Sequence, residues 1–316
     1  MQTSKDSRPP ARERSGRRWL TDLPPVDSAH STSRGQRAAP FRHSFAAHPL
    51  LEIPALINLS RALGPDRIRF HAAAMKETTN FGEVCSIPRS QASLEDALAR
   101  IEESGAWVRL NHVESVPAYR ELIEGFLAEA RPFVGLDLSR MHRREGCVFV
   151  ASPGSLTPFH CDREPSFVCQ VRGRKDLYVW DPNDRVVLSQ EQLESFHGEY
   201  SLATIRYRPA LMGRARLFPL EPGNGAFVPQ DAPQMVKTGD RAAVTLCVSY
   251  YGDEARRRRN VYAMNHLIRR WGSWAGVAPR DYGEAPIIDS IKQRIFSVYE
   301  ETRRRSIRDD TTRGKA

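Results

Sequence analysis

The spacing of apolar residues changes twice along this chain, and the changes divide it. From residue 53 to about 129 the period is helical. Ile53–Leu63 repeats apolar positions at three- and four-residue spacing and stops at Gly64-Pro65. Ser93-Leu94-Glu95-Asp96 reads as a capping box ahead of Ala97-Leu98-Ala99-Arg100-Ile101. Residues 117–129 place Tyr119, Leu122, Ile123 and Phe126 on one face, and Trp107-Val108-Arg109-Leu110 reads as a short strand. From residue 147 the period becomes two. Strands are predicted over 147–152, 157–162, 166–172, 177–180, 216–220, 226–229, 234–238 and 243–251. Gly173, Asp181-Pro182-Asn183-Asp184, Pro222-Gly223-Asn224-Gly225 and Gly239-Asp240 supply the turns. After Tyr251 the helical period returns over 254–271 and 287–304.

Many short strands between turn residues predict a sandwich or barrel, with helices on both sequence flanks. The expected divisions are a disordered basic arm (1–44), a helical N-terminal flank with short strands (45–146), a barrel core (147–252), C-terminal helices (253–305) and a basic tail (306–316).

Composition refines this picture. Hydrophobic residues make up 40% of the 316, enough for a sizeable core. No apolar run is long enough to span a membrane, and the start carries no apolar segment of the secretory type. Five scattered cysteines form no CxxC pair, so reduced, buried thiols in a cytoplasmic protein are expected. The net charge of +9 lies in the tails: residues 1–44 hold nine Lys/Arg against four Asp/Glu, and residues 303–316 hold six against two. These basic residues are not interleaved with aromatics, which favours solvated ends over a nucleic-acid surface. Arg256-Arg257-Arg258-Arg259 is read as a solvated helix face. Trp271 and Trp274 offer either core packing or a homodimer contact through the C-terminal helices.

The candidate chemistry starts at Thr157-Pro158-Phe159-His160-Cys161-Asp162. On a strand, His160 and Asp162 share a face, so an imidazole and a carboxylate point inward together as two of the three ligands of a facial triad for non-haem iron. The bland alternative is a surface histidine and a turn aspartate. Next comes Phe167-Val168-Cys169-Gln170-Val171-Arg172-Gly173-Arg174-Lys175, a strand and tight turn that place a lysine fifteen residues after His160. Inward, Lys175 would grip the far carboxylate of a 2-oxo acid; outward, it would be a solvated hairpin lysine, as Arg172 and Arg174 are expected to be.

Taken together, the chain resembles the JmjC-type, cupin-like Fe(II)/2-oxoglutarate oxygenases. The matching residues are Ser152-Pro153-Gly154, Thr157-Pro158-x-His160-x-Asp162, Gln170-x-x-Gly173-x-Lys175 and Asp181-Pro182-x-Asp184-Arg185, followed by Leu220-x-Pro222-Gly223-x-Gly225, Val228-Pro229-x-x-Ala232-Pro233 and the strand over 244–251. The resemblance implies a double-stranded β-helix, a jelly-roll or cupin-like barrel. It implies His160 and Asp162 as iron ligands and Lys175 on the 2-oxoglutarate C5 carboxylate with Thr157 as partner. It also implies Ser249 near the cosubstrate and Ser166 where relatives often carry an asparagine. In this context a third ligand histidine is expected at position 234, and this chain has Gln234. A glutamine carbonyl is a neutral and weaker ligand than imidazole.

Three readings follow. Iron is held by His160, Asp162 and Gln234; or His197, in an inserted loop, or His266, on the following helix, replaces the missing ligand; or the site is inactive and the barrel is a binding or regulatory module. The first reading makes the chain an oxygenase, a hydroxylase acting on a protein, peptide or small molecule.

Overall fold

The computed structural model describes residues 18–22, 37–72, 75–80, 90–134, 140–199, 201–272, 276 and 278–313. The strands are β1 (Leu20–Asp22), β2 (Ala39–His43), β3 (Ile68–His71), β4 (Trp107–Asn111), β5 (Met141–Ala151), β6 (Leu156–Cys161), β7 (Ser166–Arg172), β8 (Lys175–Val179), β9 (Arg216–Leu220), β10 (Asn224–Val228), β11 (Pro233–Thr238) and β12 (Ala243–Gly252). The helices are α1 (Ile53–Leu63), α2 (Gln91–Ala99), α3 (Pro117–Val134), α4 (Gln190–Glu199), α5 (Asp253–Gly272) and α6 (Pro286–Arg313).

All strand pairings are antiparallel and fall into two sheets, β1-β2-β10-β7-β12-β5-β4-β3 and β6-β11-β8-β9. From β5 to β12 the chain crosses from one sheet to the other at every connection except β8–β9, which is the winding of a jelly roll. Among the described residues the hydrogen bonds leave two facing sheets and do not close them into one barrel.

Strand alternation sorts side chains into layers. On β12, Val244, Leu246, Val248 and Tyr250 join Phe167, Cys169 and Val171 of β7 and Val148 and Val150 of β5 in the largest core. That core is covered by Leu56 and Leu59 of α1, Leu94 and Leu98 of α2, and Ile123 and Phe126 of α3. Helix α3 comes so close that a Cβ on Gly146 would lie 2.3 Å from Ile123 Cδ1. On the outer face of the small sheet, Phe159, Cys161 and Trp180 pack with Leu193 and Phe196 of α4 and Tyr262 of α5. Between the sheets, Leu177, Val179, Phe218 and Leu220 meet Val168, Ala226 and Val228. No helix among the described residues is long and apolar enough to cross a membrane.

Several expectations are corrected. Order begins inside the segment expected to be a disordered arm: β2 pairs with β10 over four residues, and Phe41 is buried against Phe126 and Phe167. Phe41, with Trp19 and Leu20 of the same segment, gives this otherwise polar stretch the apolar area to dock. Residues 18–22 are ordered as well, with β1 paired to β2 and Leu20 buried, while residues 1–17 and 23–36 lie outside the described residues, as do Cys85 and Trp274. The capping box of α2 starts three residues earlier than read: Ser90 Oγ accepts from the Ser93 N–H at 3.1 Å, and Ser93 Oγ accepts from the Ser90 N–H at 3.3 Å. Helix α4 stands where an inserted loop was expected. Of the four arginines opening α5, Arg256 is exposed as expected and Arg257 half-buried, but Arg258 pairs with Asp231 at 3.2 Å and Arg259 with Glu300, both largely buried. Asp253 and Glu254 in the same first turn offset their charge at the helix start. Trp271 is 72% exposed rather than packed on the barrel.

If β2 is an integral strand of the large sheet, Phe41→Ala will destabilise the protein by about 3–5 kcal/mol in urea unfolding. A loss under about 1 kcal/mol would show that the segment is merely laid on the surface.

Candidate active site

The two sheets enclose a cavity of about 740 Å³ including its open mouth, lined by all seven residues singled out in the sequence: Thr157, His160, Asp162, Ser166, Lys175, Gln234 and Ser249. A volume of this order suits a small molecule. Each side chain reaches it for a structural reason. The small sheet supplies His160 from β6, Gln234 from β11 and Lys175 from β8, with Asp162 just beyond the end of β6. Gln234 lies directly across from His160 in the ladder. The large sheet supplies Ser166 from β7 and Ser249 from β12, which oppose each other.

Thr157 illustrates what strand alternation alone does not deliver. A regular strand would put residues 157, 159 and 161 on one face and His160 and Asp162 on the other. Phe159 and Cys161 do face outward, yet Thr157 faces the cavity. The β6–β11 register shifts between Gln234 and Val236, where Gln234 opposes His160 but Val236 opposes Thr157. This irregularity reverses the phase of β6 between Thr157 and His160. The Trp107 indole N–H donates to Thr157 Oγ1 at 3.0 Å, leaving the hydroxyl proton to point at a ligand.

The hairpin that delivers Lys175 is held by Gln170. Its amide nitrogen donates to the carbonyls of Arg172 (2.7 Å) and Gly173 (3.0 Å), and its oxygen accepts from the Thr245 hydroxyl at 2.8 Å. Gly173 turns at φ +68°, and a Cβ there would lie 2.3 Å from the Ala242 carbonyl oxygen. Arg172 and Arg174 are exposed as expected, whereas Lys175 is 4% exposed. Its ammonium sits 5.8 Å from the Phe149 ring centroid and meets no carboxylate among the described residues. Burial pushes its pKa down to about 8, with nearby Cys247 and Cys147 acting in the opposite direction.

At the other end, His160 Nε2 and Asp162 Oδ2 are 3.9 Å apart, and His160 Nδ1 lies 2.7 Å from the Pro158 carbonyl. A protonated Nδ1 donating to that carbonyl leaves Nε2 with its lone pair toward the cavity. Burial holds the imidazole below its ordinary range, against the pull of Asp162, which favours the neutral form that ligates metals. Gln234 Nε2 donates to Asp162 Oδ2 at 2.5 Å. An ionised carboxylate only accepts, so the amide presents its nitrogen to Asp162 and turns its oxygen away. His160 and Asp162 thus suit a divalent metal, and Gln234 Oε1 would complete the set only after its amide turns round and releases Asp162. Among the described residues no three His, Cys, Asp or Glu side chains converge as a metal-binding group.

Neither alternative histidine fills the gap. His197 is fully buried on α4, bonded to Asp231 at 2.8 Å, and His266 pairs with Glu199 at 3.4 Å; neither lines the cavity. His197 acts from behind the site. Asp231 bonds it and Arg258 while holding φ at +63°, and the Asp231 N–H donates to the Asp162 carbonyl at 2.9 Å.

Sequence reasoning missed Arg109, Glu145, Cys147, Glu164 and Cys247, all cavity-lining. Arg109 lies 5.3 Å from the Phe149 centroid, on the ring that Lys175 also approaches. Burial works against the Arg109 charge, but Cys147, Asp162 and Cys247 more than offset it. Its signal was present: a lone arginine alternating with apolar residues in a short strand. Glu145 was missed because β5 starts at Met141, six residues before the predicted strand.

No family model matches the sequence, and no curated protein matches it. Among solved structures the chain is similar to an X-ray structure of Escherichia coli YcfD, at 16% identity and TM-score 0.48, covering 89% of this chain and 68% of that one. It is similar to YcfD, a ribosomal oxygenase, in complex with cobalt and 2-oxoglutarate, at 16% identity and TM-score 0.47, covering 89% and 67%. It is also similar to YcfD with cobalt and succinic acid, at 16% identity and TM-score 0.44, again covering 89% and 67%.

The depressed Lys175 pKa makes a signed prediction. Below pH 8 both folded and unfolded chains carry the charge, and burying it costs about 3 kcal/mol, from a shift of 10.5 to about 8. Between pH 8 and 10.5 the unfolded chain holds a proton that the folded chain lacks, so this cost fades and stability rises with pH. Lys175→Met will therefore raise stability at pH 7 by up to about 3 kcal/mol and remove that rise, as read by urea unfolding at pH 7 and 10. Unchanged or lower stability at pH 7 would mean that the lysine has a compensating anion.

Proposed function

We propose that this chain is a cupin-like, JmjC-type Fe(II)/2-oxoglutarate-dependent oxygenase, a hydroxylase with an atypical His160–Asp162–Gln234 metal site. The observation that carries this reading is Lys175, a buried cation without a carboxylate partner, in one cavity with His160 and Asp162. Such a cation is costly to the fold unless an anionic ligand completes it.

Each residue then has a role. Lys175 binds the C5 carboxylate of 2-oxoglutarate as a charge-assisted pair, and the Thr157 hydroxyl donates to the same group. Ser166 and Ser249 line the opposing wall and orient the cosubstrate. His160 and Asp162 are the metal's strong donors and Gln234 its weak one. Iron bound there would supply the coupling of dioxygen to oxidative decarboxylation of the 2-oxo acid and hydroxylation of a C–H bond. The apolar walls around Phe149, Val168 and Val236 exclude water from that reaction. The substrate is a protein, a peptide or a small molecule, and the setting is the cytoplasm, in keeping with the free, buried thiols of the described cysteines.

One observation favours a second reading. Gln234 donates to Asp162 and so occupies the carboxylate that a metal would need. In this reading the chain is an inactive cupin-like module that binds a dicarboxylate on Lys175 without metal.

The same measurement separates the two. As an oxygenase, the protein under anaerobic Fe(II) and 2-oxoglutarate will show a weak metal-to-ligand absorption band, and on admitting air will form succinate slowly. Gln234→His will strengthen metal affinity and succinate formation at least about ten-fold. Binding of 2-oxoglutarate in the presence of a chelator, with no band and no succinate in the wild type, supports the module. If Gln234→His is also inert, the metal assignment is wrong.

The C-terminal helices support a homodimer. Ile288, Ile291, Ile295 and Val298 repeat at coiled-coil spacing on an exposed face of α6. Ile291→Glu with Ile295→Glu will convert a dimer into a monomer in light scattering; a monomeric wild type overturns the dimer.

A further inference from the structure

Cys147 and Cys247 face each other across the two longest strands of the jelly roll. They are direct partners in the β5–β12 ladder, which runs without a register shift from Ala243 to Tyr251. Opposed residues in such a ladder have Cα atoms about 4.5–5.5 Å apart, inside the span of about 4.4–6.8 Å that a disulfide bridges. Each thiol shifts the titration of the other, as groups that face each other across a ladder do. Both line the cavity, whose mouth is marked by the half-exposed Asp162 side chain, so a small solute reaches them. Cys161 and Cys169 differ: they are buried in the apolar layers outside the two sheets, and neither lines the cavity.

We infer that Cys147 and Cys247 are a redox-active dithiol, which a hydroperoxide converts into a cross-strand disulfide inside the cavity. The inference stands on this pair alone and does not depend on the oxygenase reading. Cys147 is the attacking sulfur. The adjoining Cys247 thiol holds Cys147 below the ordinary range, burial opposes that, and Arg109 supports it; Cys247 is held well above. A low-pKa thiol beside a cation and a resolving thiol is the arrangement of peroxide-sensing cysteines. In the first step the Cys147 thiolate attacks one oxygen of hydrogen peroxide, the O–O bond breaks, and a sulfenic acid and hydroxide form. In the second, the Cys247 sulfur attacks the sulfenic sulfur, the S–O bond breaks, and water leaves with the thiol proton. Two thiols lose two electrons, and one peroxide is reduced to two waters once the hydroxide is protonated.

The oxidation changes the cavity's charge. Reduced, the Cys147 thiol lies where Arg109 favours its thiolate form. As a disulfide the pair is neutral, which leaves Arg109 and Lys175 to an anionic ligand.

The test uses the full chain, reduced and then treated with stoichiometric hydrogen peroxide without metal. Thiol titration after denaturation will fall from five free thiols to three, and mass spectrometry of the digest will find one linked pair, containing Cys147 and Cys247, 2 Da lighter than its two peptides. Cys147→Ser will keep all four remaining thiols under the same treatment. Five free thiols in the treated wild type, a link between other cysteines, or loss of thiols only to sulfinic acid would each overturn the inference.

Discussion

The site rests on the pleat of three adjacent strands, β5, β7 and β12. Because their side chains alternate, one face carries Val148, Phe167, Leu246 and Val248 into the helix-covered core, and the other carries Cys147, Ser166, Cys247 and Ser249 into the cavity. A one-residue slip would place the polar set in the apolar core and unmake both at once. The helical flanks seal the apolar side of this sheet, so that the opposite side can remain polar and concave.

That constraint explains which parts of the molecule were legible in the sequence. The strand over 243–251 shows the alternation cleanly, and β7 and β9 fall within their predicted bounds, because turn residues bracket them. His160 and Asp162 could be placed together from strand alternation, whereas Lys175 and Gln234 joined them only through the family resemblance. Three features were hidden. The phase reversal in β6 that brings Thr157 inward is a property of pairing with β11, which no single strand records. Strand β2 depends on Phe41 finding a partner some eighty residues on, at Phe126. Helix α4 has low amphipathicity and earns its place by tertiary contact, with Leu193 and Phe196 packed beneath α5.

Gln234 divides the chemistry from the architecture. The hairpin that carries Lys175 is fixed down to the Gln170 amide that holds the Gly173 turn. At the other end His160 and Asp162 stand together, and Gln234 closes on Asp162 with a hydrogen bond. The Asp231 turn that steadies Asp162 is itself braced by His197 and Arg258, so the carboxylate's backbone is anchored whether or not a cation sits beside it.

Under the proposed function the buried lysine would also make ligand and proton travel together. Near pH 8 about half of the empty molecules carry an uncharged Lys175. A carboxylate seated against it restores the charge, so occupancy above that pH draws a proton from solution. Ligand affinity then falls by about ten-fold for each further pH unit. The apparent heat of binding acquires a contribution from whichever buffer surrenders the proton. Under the proposed function the cavity would therefore be a receptor for an acid as a whole, anion and proton, with an occupancy that follows alkalinity as well as ligand concentration.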